Sequence, residues 1–216
     1  MGCAKSKEMP VEGRRLTSGA DSVSVDHLRT GDLVLFGATV ARDAIIGSRT
    51  QTQWTHIGVV MHVPEFYNAR GPMLLECADT FTDELPDLAW KYNVRTSGVR
   101  LVDLHSRIQL SDAQVIACRQ LYMGTSATCQ LGDAHALEFI TLAAGREHGT
   151  VGADLNTFKR TRLAPISASE LAALALLHLG ISHIAPTRGV LSLAQRFDTT
   201  RDCAYEVPRE LQRQTS

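Results

Sequence analysis

Nowhere in this chain of 216 residues do two cysteines stand at C-x-x-C spacing. The five that occur, Cys3, Cys77, Cys118, Cys129 and Cys203, are odd in number and scattered. Such spacing suggests neither a zinc site nor a disulfide framework, and reduced thiols in a cytosolic compartment fit best. An excess of charge of one sign is missing too. The formal net charge is −1, so charge gives no case for nucleic acid or acidic partners. No apolar run approaches the length needed to cross a bilayer, and a secretory signal peptide is absent. No internal repeat or low-complexity tract occurs. What remains is 44% hydrophobic and 21% charged, and long enough for one domain with a real core or at most two small ones.

The first residues carry a specific pattern. Met1-Gly2-Cys3-Ala4-Lys5-Ser6-Lys7 matches the myristoylation signature, with Gly2 as acceptor and Ser6 at the favoured position. It resembles the start of Src-family kinases, and Cys3 looks like a palmitoylation site. One acyl chain holds a protein on a membrane only marginally, so a second chain with Lys5 and Lys7 would supply the second signal. The expected location is the cytoplasmic face of a membrane. Residues 1–22 are polar and without period, and are expected to be a disordered tail before a domain over 23–216.

Along that domain, Val25–Asp32 reads as a short helical turn leading into a strand, Leu33–Phe36. Val40–Ser48 has apolar residues at helical spacing. Trp54–Val63 is the clearest strand, with alternation placing Trp54, His56, Gly58 and Val60 on one face. Met73–Ala78 is a plausible antiparallel partner, and Gly98–Leu104 a further strand. Helices are expected over Glu84–Tyr92, Ser111–Tyr122, Ala134–Ala144 and Val190–Gln195, with Gly145–Arg162 as loop and Cys203–Val207 as a last strand. The pattern is α+β, an antiparallel sheet with helices on one side.

The chain is organised around Pro165–Leu177, which reads as the start of a buried helix. Ser167 or Ser169 can cap it, and Glu170 falls in the first turn, where a carboxylate suits free N–H groups and the positive dipole end. Apolar residues fill every face, as in an enclosed helix. Such a tip is where a nucleophile is best placed, since the dipole lowers a thiol pKa and backbone N–H groups can hold an oxyanion. The tip residue, Ala168, has no such chemistry. Two strands supply the rest of a constellation. Glu76 lies in an apolar strand, where an unpaired carboxylate is costly. His56 on the neighbouring strand would pair with it and present its other nitrogen in a fixed tautomer, the base-and-orienter half of a nucleophilic triad. Taken singly, each residue has a plainer reading. His56 would be a satisfied core histidine, and Glu76 an ion-pair partner of an arginine. Cys77 should point to the opposite strand face as a packed thiol, and Ser167 and Ser169 would be caps.

Leu28-x-x-Gly31-Asp32-Leu33-Val34-Leu35-Phe36, then Trp54-Thr55-His56-Ile57-Gly58, then Leu74-Leu75-Glu76, then Ala168-Ser169-Glu170-Leu171 together resemble the permuted papain-like family, related to NlpC-type amidases and typified by YiiX/YebB-like proteins. In that family the order along the chain is His, then an acidic or polar residue, then Cys in a Cys-Ser-Glu-Leu motif opening a helix. The resemblance covers about residues 25–210. It implies a permuted papain-like fold with His56 as general base, Glu76 as its orienter and position 168 as nucleophile; the helix N-terminus at Ser169 is the candidate oxyanion-binding position. It implies no metal or organic cofactor.

This sequence departs from the family at Ala168, where sulfur is expected. The retained His56, Glu76 and Ser169-Glu170-Leu171 favour a Cys→Ala substitution that inactivates an enzyme; the alternative is a natural pseudoenzyme. On the first view, the expected function is that of a thiol-dependent hydrolase or acyltransferase cleaving an amide or ester bond. The anchor favours a lipid, lipidated-protein or peptide substrate. On the second, it is a membrane-tethered module that binds an acyl chain or peptide.

Overall fold

A computed structural model describes residues 23–37, 54–63, 71–90, 93–113, 116–119, 133–149, 155–160, 164–181 and 209–211. The expected tail over 1–22, with Gly2 and Cys3, lies outside these residues. So do the helices expected at Val40–Ser48 and Val190–Gln195 and the strand expected at Cys203–Val207.

A 3-10 turn at Val25–His27, capped by Ser24, leads into strand β1, Leu33–Gly37. Then come β2 (Trp54–Met61), β3 (Met73–Ala78), β4 (Pro86–Asp87), β5 (Asn93–Val94) and β6 (Gly98–Asp103). Helix α1 spans Leu104–Gln109, β7 Ile116–Arg119, and the helices α2, α3 and α4 span Asp133–Ala143, Leu155–Arg160 and Ala168–His178. A short β8, Arg209–Glu210, follows. The main sheet has six strands in the order β6-β3-β2-β1-β7-β8, each paired antiparallel to its neighbours. The mixed α+β class is as the sequence suggests, with an antiparallel sheet packed against a few helices.

Three local expectations fail for identifiable reasons. Glu84–Tyr92 is not a helix across its described part. Pro86 cannot donate an interior helical bond, and the Asp87 carboxylate accepts from the Ala89 amide two residues on, which favours a turn. Ser111–Tyr122 is not a helix across its described part, because Ile116–Arg119 pairs with the free edge of β1 in the register Leu33↔Arg119 to Phe36↔Ile116. Gly145–Arg162 is not all loop, since α3 forms within it.

Helices cover both faces of the sheet rather than one. Alternation sends Leu33, Leu35, Ile57, Val59, Leu75, Cys77 and Leu101 into one core with Phe139, Phe158, Ala168, Leu171 and Leu174, the layer of α2, α3 and α4. It sends Val34, Phe36, Val60, Leu74 and Val102 into a second core with Leu104 and Ile108 of α1, Val25, Leu28 and Leu85. Trp54 departs from the expected alternation. A register irregularity between Phe36 and Gly37 turns it into the core that holds Ile57, away from the face of Val60.

One buried cation ties the first layer together. Arg146 donates from Nε to the Leu142 carbonyl, from Nη1 to that of Ala164 and from Nη2 to that of Phe158. It thus satisfies orphan carbonyls at the end of α2, in α3 and on the approach to α4. Its own carbonyl accepts from the Val99 amide. Gly98 beside it has φ +87°, and a Cβ there would run into that carbonyl oxygen.

Leu174 is fully buried at the centre of α4. Leu174→Ala should lower unfolding free energy by about 2–5 kcal/mol in chemical denaturation, the range for a buried leucine whose cavity does not collapse.

Candidate functional site

The site begins with Glu76. It lies at the middle of β3, opposite Gly58 of β2 and Arg100 of β6, and is completely buried. Period-two alternation forces a residue here onto the α1 face. There its carboxylate is saturated. Oε1 accepts from Arg100 Nε at 2.9 Å, Arg100 Nη2 at 2.7 Å and Arg107 Nε at 3.0 Å. Oε2 accepts from Arg107 Nε at 3.2 Å and lies 2.8 Å from His56 Nε2.

Arg100 is buried and shared. Its Nη1 and Nη2 donate to Asp83 at 2.6 and 2.8 Å, and its guanidinium stacks 3.5 Å from the Phe81 ring centroid. Arg107, on α1, lies 4.5 Å over the Phe36 ring. Phe36 also meets the His56 ring, at 5.6 Å between centroids. Two arginines thus face two carboxylates, with aromatic walls around them.

Burial alone would push Glu76 up. The Arg107 charge, the His56 hydrogen bond and Arg100 outweigh it and hold the carboxyl well below the usual carboxylate range. Asp83 is also lowered, because hydrogen bonds and charge from Arg100 overcome its desolvation. An ionised Glu76 accepts only, so His56 Nε2 must carry the proton it shares, and in the neutral ring the lone pair falls on Nδ1. The histidine side chain keeps 18% exposure.

Ala168 stands elsewhere. It is the first residue of α4, whose N-cap is Ser167, with ψ 163°. Ser167 Oγ accepts from the Glu170 amide at 3.3 Å, while Glu170 Oε2 accepts from the Ser167 amide at 3.0 Å and its hydroxyl at 2.8 Å, a complete capping box. Ser169 is fully buried in the first turn, 3.3 Å from the Ser167 hydroxyl. Ala168 packs in the same core as Leu75 and Cys77. Cys77 donates its thiol proton to the Ile166 carbonyl at 3.0 Å, and burial pushes the thiol up to about 12, with Glu76 adding to the effect.

The structure brings His56 and Glu76 into contact, while Ala168 packs in the core beneath α4. Glu76 turns to the α1 layer, and Cys77 turns to the α4 layer where Ala168 lies. Of the grouping that the family resemblance implies, the His56–Glu76 contact is present at 2.8 Å, and Ala168 packs in the core that holds Cys77.

Sequence reasoning missed Arg100 and Arg107 as named members of the site, although an arginine partner for Glu76 was the plainer reading. The available signal was Arg100 itself, a charge inside the apolar run Val99–Val102 on the strand next to Glu76. Among the described residues no three His, Cys, Asp or Glu side chains already stand in position to hold a metal ion.

No family model matches the sequence, and no curated protein matches it. Among solved structures the chain is similar to the metalloprotein yiiX from Escherichia coli O157:H7, with 12% identity, 84% of this chain and 87% of that chain covered, and a TM-score of 0.45.

Glu76→Gln leaves Arg100 and Arg107 short of a counter-charge and should cost roughly 3–5 kcal/mol. The lowered carboxyl also has a pH signature. Below the ordinary carboxylate range the unfolded chain takes up a proton that folded Glu76 refuses, so its contribution is present above that range and lost as pH falls. Urea unfolding between about pH 6 and pH 3 should show a shallower loss of stability in Glu76→Gln than in the unmodified protein. Cys77 should resist maleimide at pH 8 in the folded protein and react only after denaturation, as mass spectrometry of the labelled peptide would report.

Proposed function

We propose that this chain is a membrane-tethered binding module on a permuted papain-like, NlpC-related scaffold, acting without thiol chemistry. The observation that carries the reading is the placement of Ala168. The position where the family resemblance expects sulfur holds a buried methyl group, packed in the core of Leu75 and Cys77, while the His56 ring meets Phe36 of the other core. A base serves a nucleophile only within hydrogen-bond reach, directly or through one water.

On this reading the Glu76 network organises the α1 face and holds the partly exposed His56 ring in one orientation. The acyl signals at Gly2 and Cys3 set the location at the cytoplasmic face of a membrane. The ligand is an acyl chain or a peptide, including one carried by a lipidated protein.

A second reading keeps the enzyme, a hydrolase or acyltransferase whose nucleophile Ala168 replaces. Two observations favour it. The His56–Glu76 contact at 2.8 Å has the form of a base with its orienter, and the capping box fixes residue 168 at a helix N-terminus. The native thiolate would attack an amide or ester carbonyl, form an acyl-enzyme and pass the acyl group to water or another acceptor. His56 would take the thiol proton and return it to the leaving group.

One experiment separates the two. In full-length Ala168→Cys, an iodoacetamide probe should label residue 168 no faster than an ordinary buried thiol, and adding His56→Ala should change nothing. Rapid selective labelling that disappears with His56→Ala would establish the enzyme reading instead. For the anchor, Gly2→Ala should move the protein from the membrane to the soluble fraction of cells that carry out N-myristoylation. Retention on membranes would count against lipidation.

A further inference from the structure

A second group of polar side chains lies away from the Glu76 network, where α2 crosses α4. His178 occupies the last turn of α4 with its side chain only 3% exposed. Neither ring nitrogen makes a hydrogen bond of good geometry, though the ring faces the Glu138 carboxylate and the His135 backbone. The burial of that imidazole is offset only in part, by the Glu138 carboxylate and the His135 backbone.

Two residues of α2 approach it. Glu138 Oε2 lies 3.5 Å from His178 Nε2, and the His135 ring stands at 6.4 Å between centroids, edge to face. His135 and Glu138 are three apart, so they share one helix face a turn from each other. Both are exposed. Phe139 closes the inner side, with its ring 5.4 Å from that of His178. Buried imidazole, surface carboxylate and surface imidazole thus converge from two helices.

We propose that His135, Glu138 and His178 form a binding site for a divalent transition metal of the zinc class. The spacing fits. Nitrogen and oxygen ligands at about 2.0–2.2 Å in a tetrahedron stand roughly 3.3–3.6 Å from each other, and Nε2 of His178 and Oε2 of Glu138 already have that separation. Two imidazoles on one such ion have ring centroids roughly 5–6 Å apart, so the exposed His135 ring closes the site by turning about its side-chain bonds. Water would fill the fourth position. The ligand types, two imidazoles and one carboxylate, suit zinc better than calcium or magnesium. Lys159 of α3 is the cation that acts on His178, and its charge sets a limit on affinity for a dication.

The test uses the full chain freed of metal with a chelator and then titrated with Co2+. Binding should reach one ion per chain, with the visible absorption of a tetrahedral nitrogen–oxygen site, and Zn2+ should displace it. Glu138→Gln and His135→Ala, both at the surface, should each weaken binding at least ten-fold while leaving the circular dichroism unchanged. Lys159→Ala should tighten it, and His178→Ala should abolish it. A titration with no saturable binding overturns the proposal. So does equal affinity in Glu138→Gln and His135→Ala, or a sulfur-to-cobalt charge-transfer band, which would place the ion on cysteine.

Discussion

The fold depends on the neutralisation of one buried carboxylate. Glu76 sits in the middle of the sheet with no exposed surface, and three side chains from two strands and a helix converge on it. Each partner would be badly placed without the others. Arg100 is equally buried and needs both Glu76 and Asp83, while Asp83 binds the segment before β4 to the sheet through the same guanidinium. The apolar cores on either face supply the bulk of the stabilisation. The charge network fixes which segments lie against the α1 face, because a misplaced strand would strand a charge in an apolar layer.

Legibility from sequence followed the kind of signal. The strands β2 and β3 were readable because their β-branched and apolar runs are long, and α4 because its cap and first turn carry Ser167 and Glu170 in register. The His56–Glu76 pairing was readable for a different reason: an acid in an apolar strand demands a partner. Where local preference competed with distant pairing, the distant pairing won. Ile116–Arg119 has the composition of either a helix or a strand, and the open edge of β1 decides it. Pro86 was a stop signal available in the sequence of the expected helix.

Of the site, the His56–Glu76 contact was legible. Motif order suggested three residues acting together, yet motif order contains no information about which face of a sheet a helix covers. That depends on the route of the chain after β6 and on the alternation of residues along β3. Arg100 and Arg107 were invisible to motif reasoning because their function is to satisfy a neighbour, and no spacing rule announces such a partner. His178 is a further case. In sequence it is one histidine among eight, and its burial between α2 and α4 emerges only when those helices meet.

One detail of β3 has a mechanical meaning. Glu76 is gripped by α1 on one side of the sheet, and the next residue, Cys77, is bonded to the carbonyl that leads into α4 on the other. The two grips are one peptide unit apart. A single strand is therefore riveted through its thickness, and neither layer can peel away without dragging on the attachment of the other. Whatever binds on one surface of this molecule acts on a sheet that is already fastened to the opposite one.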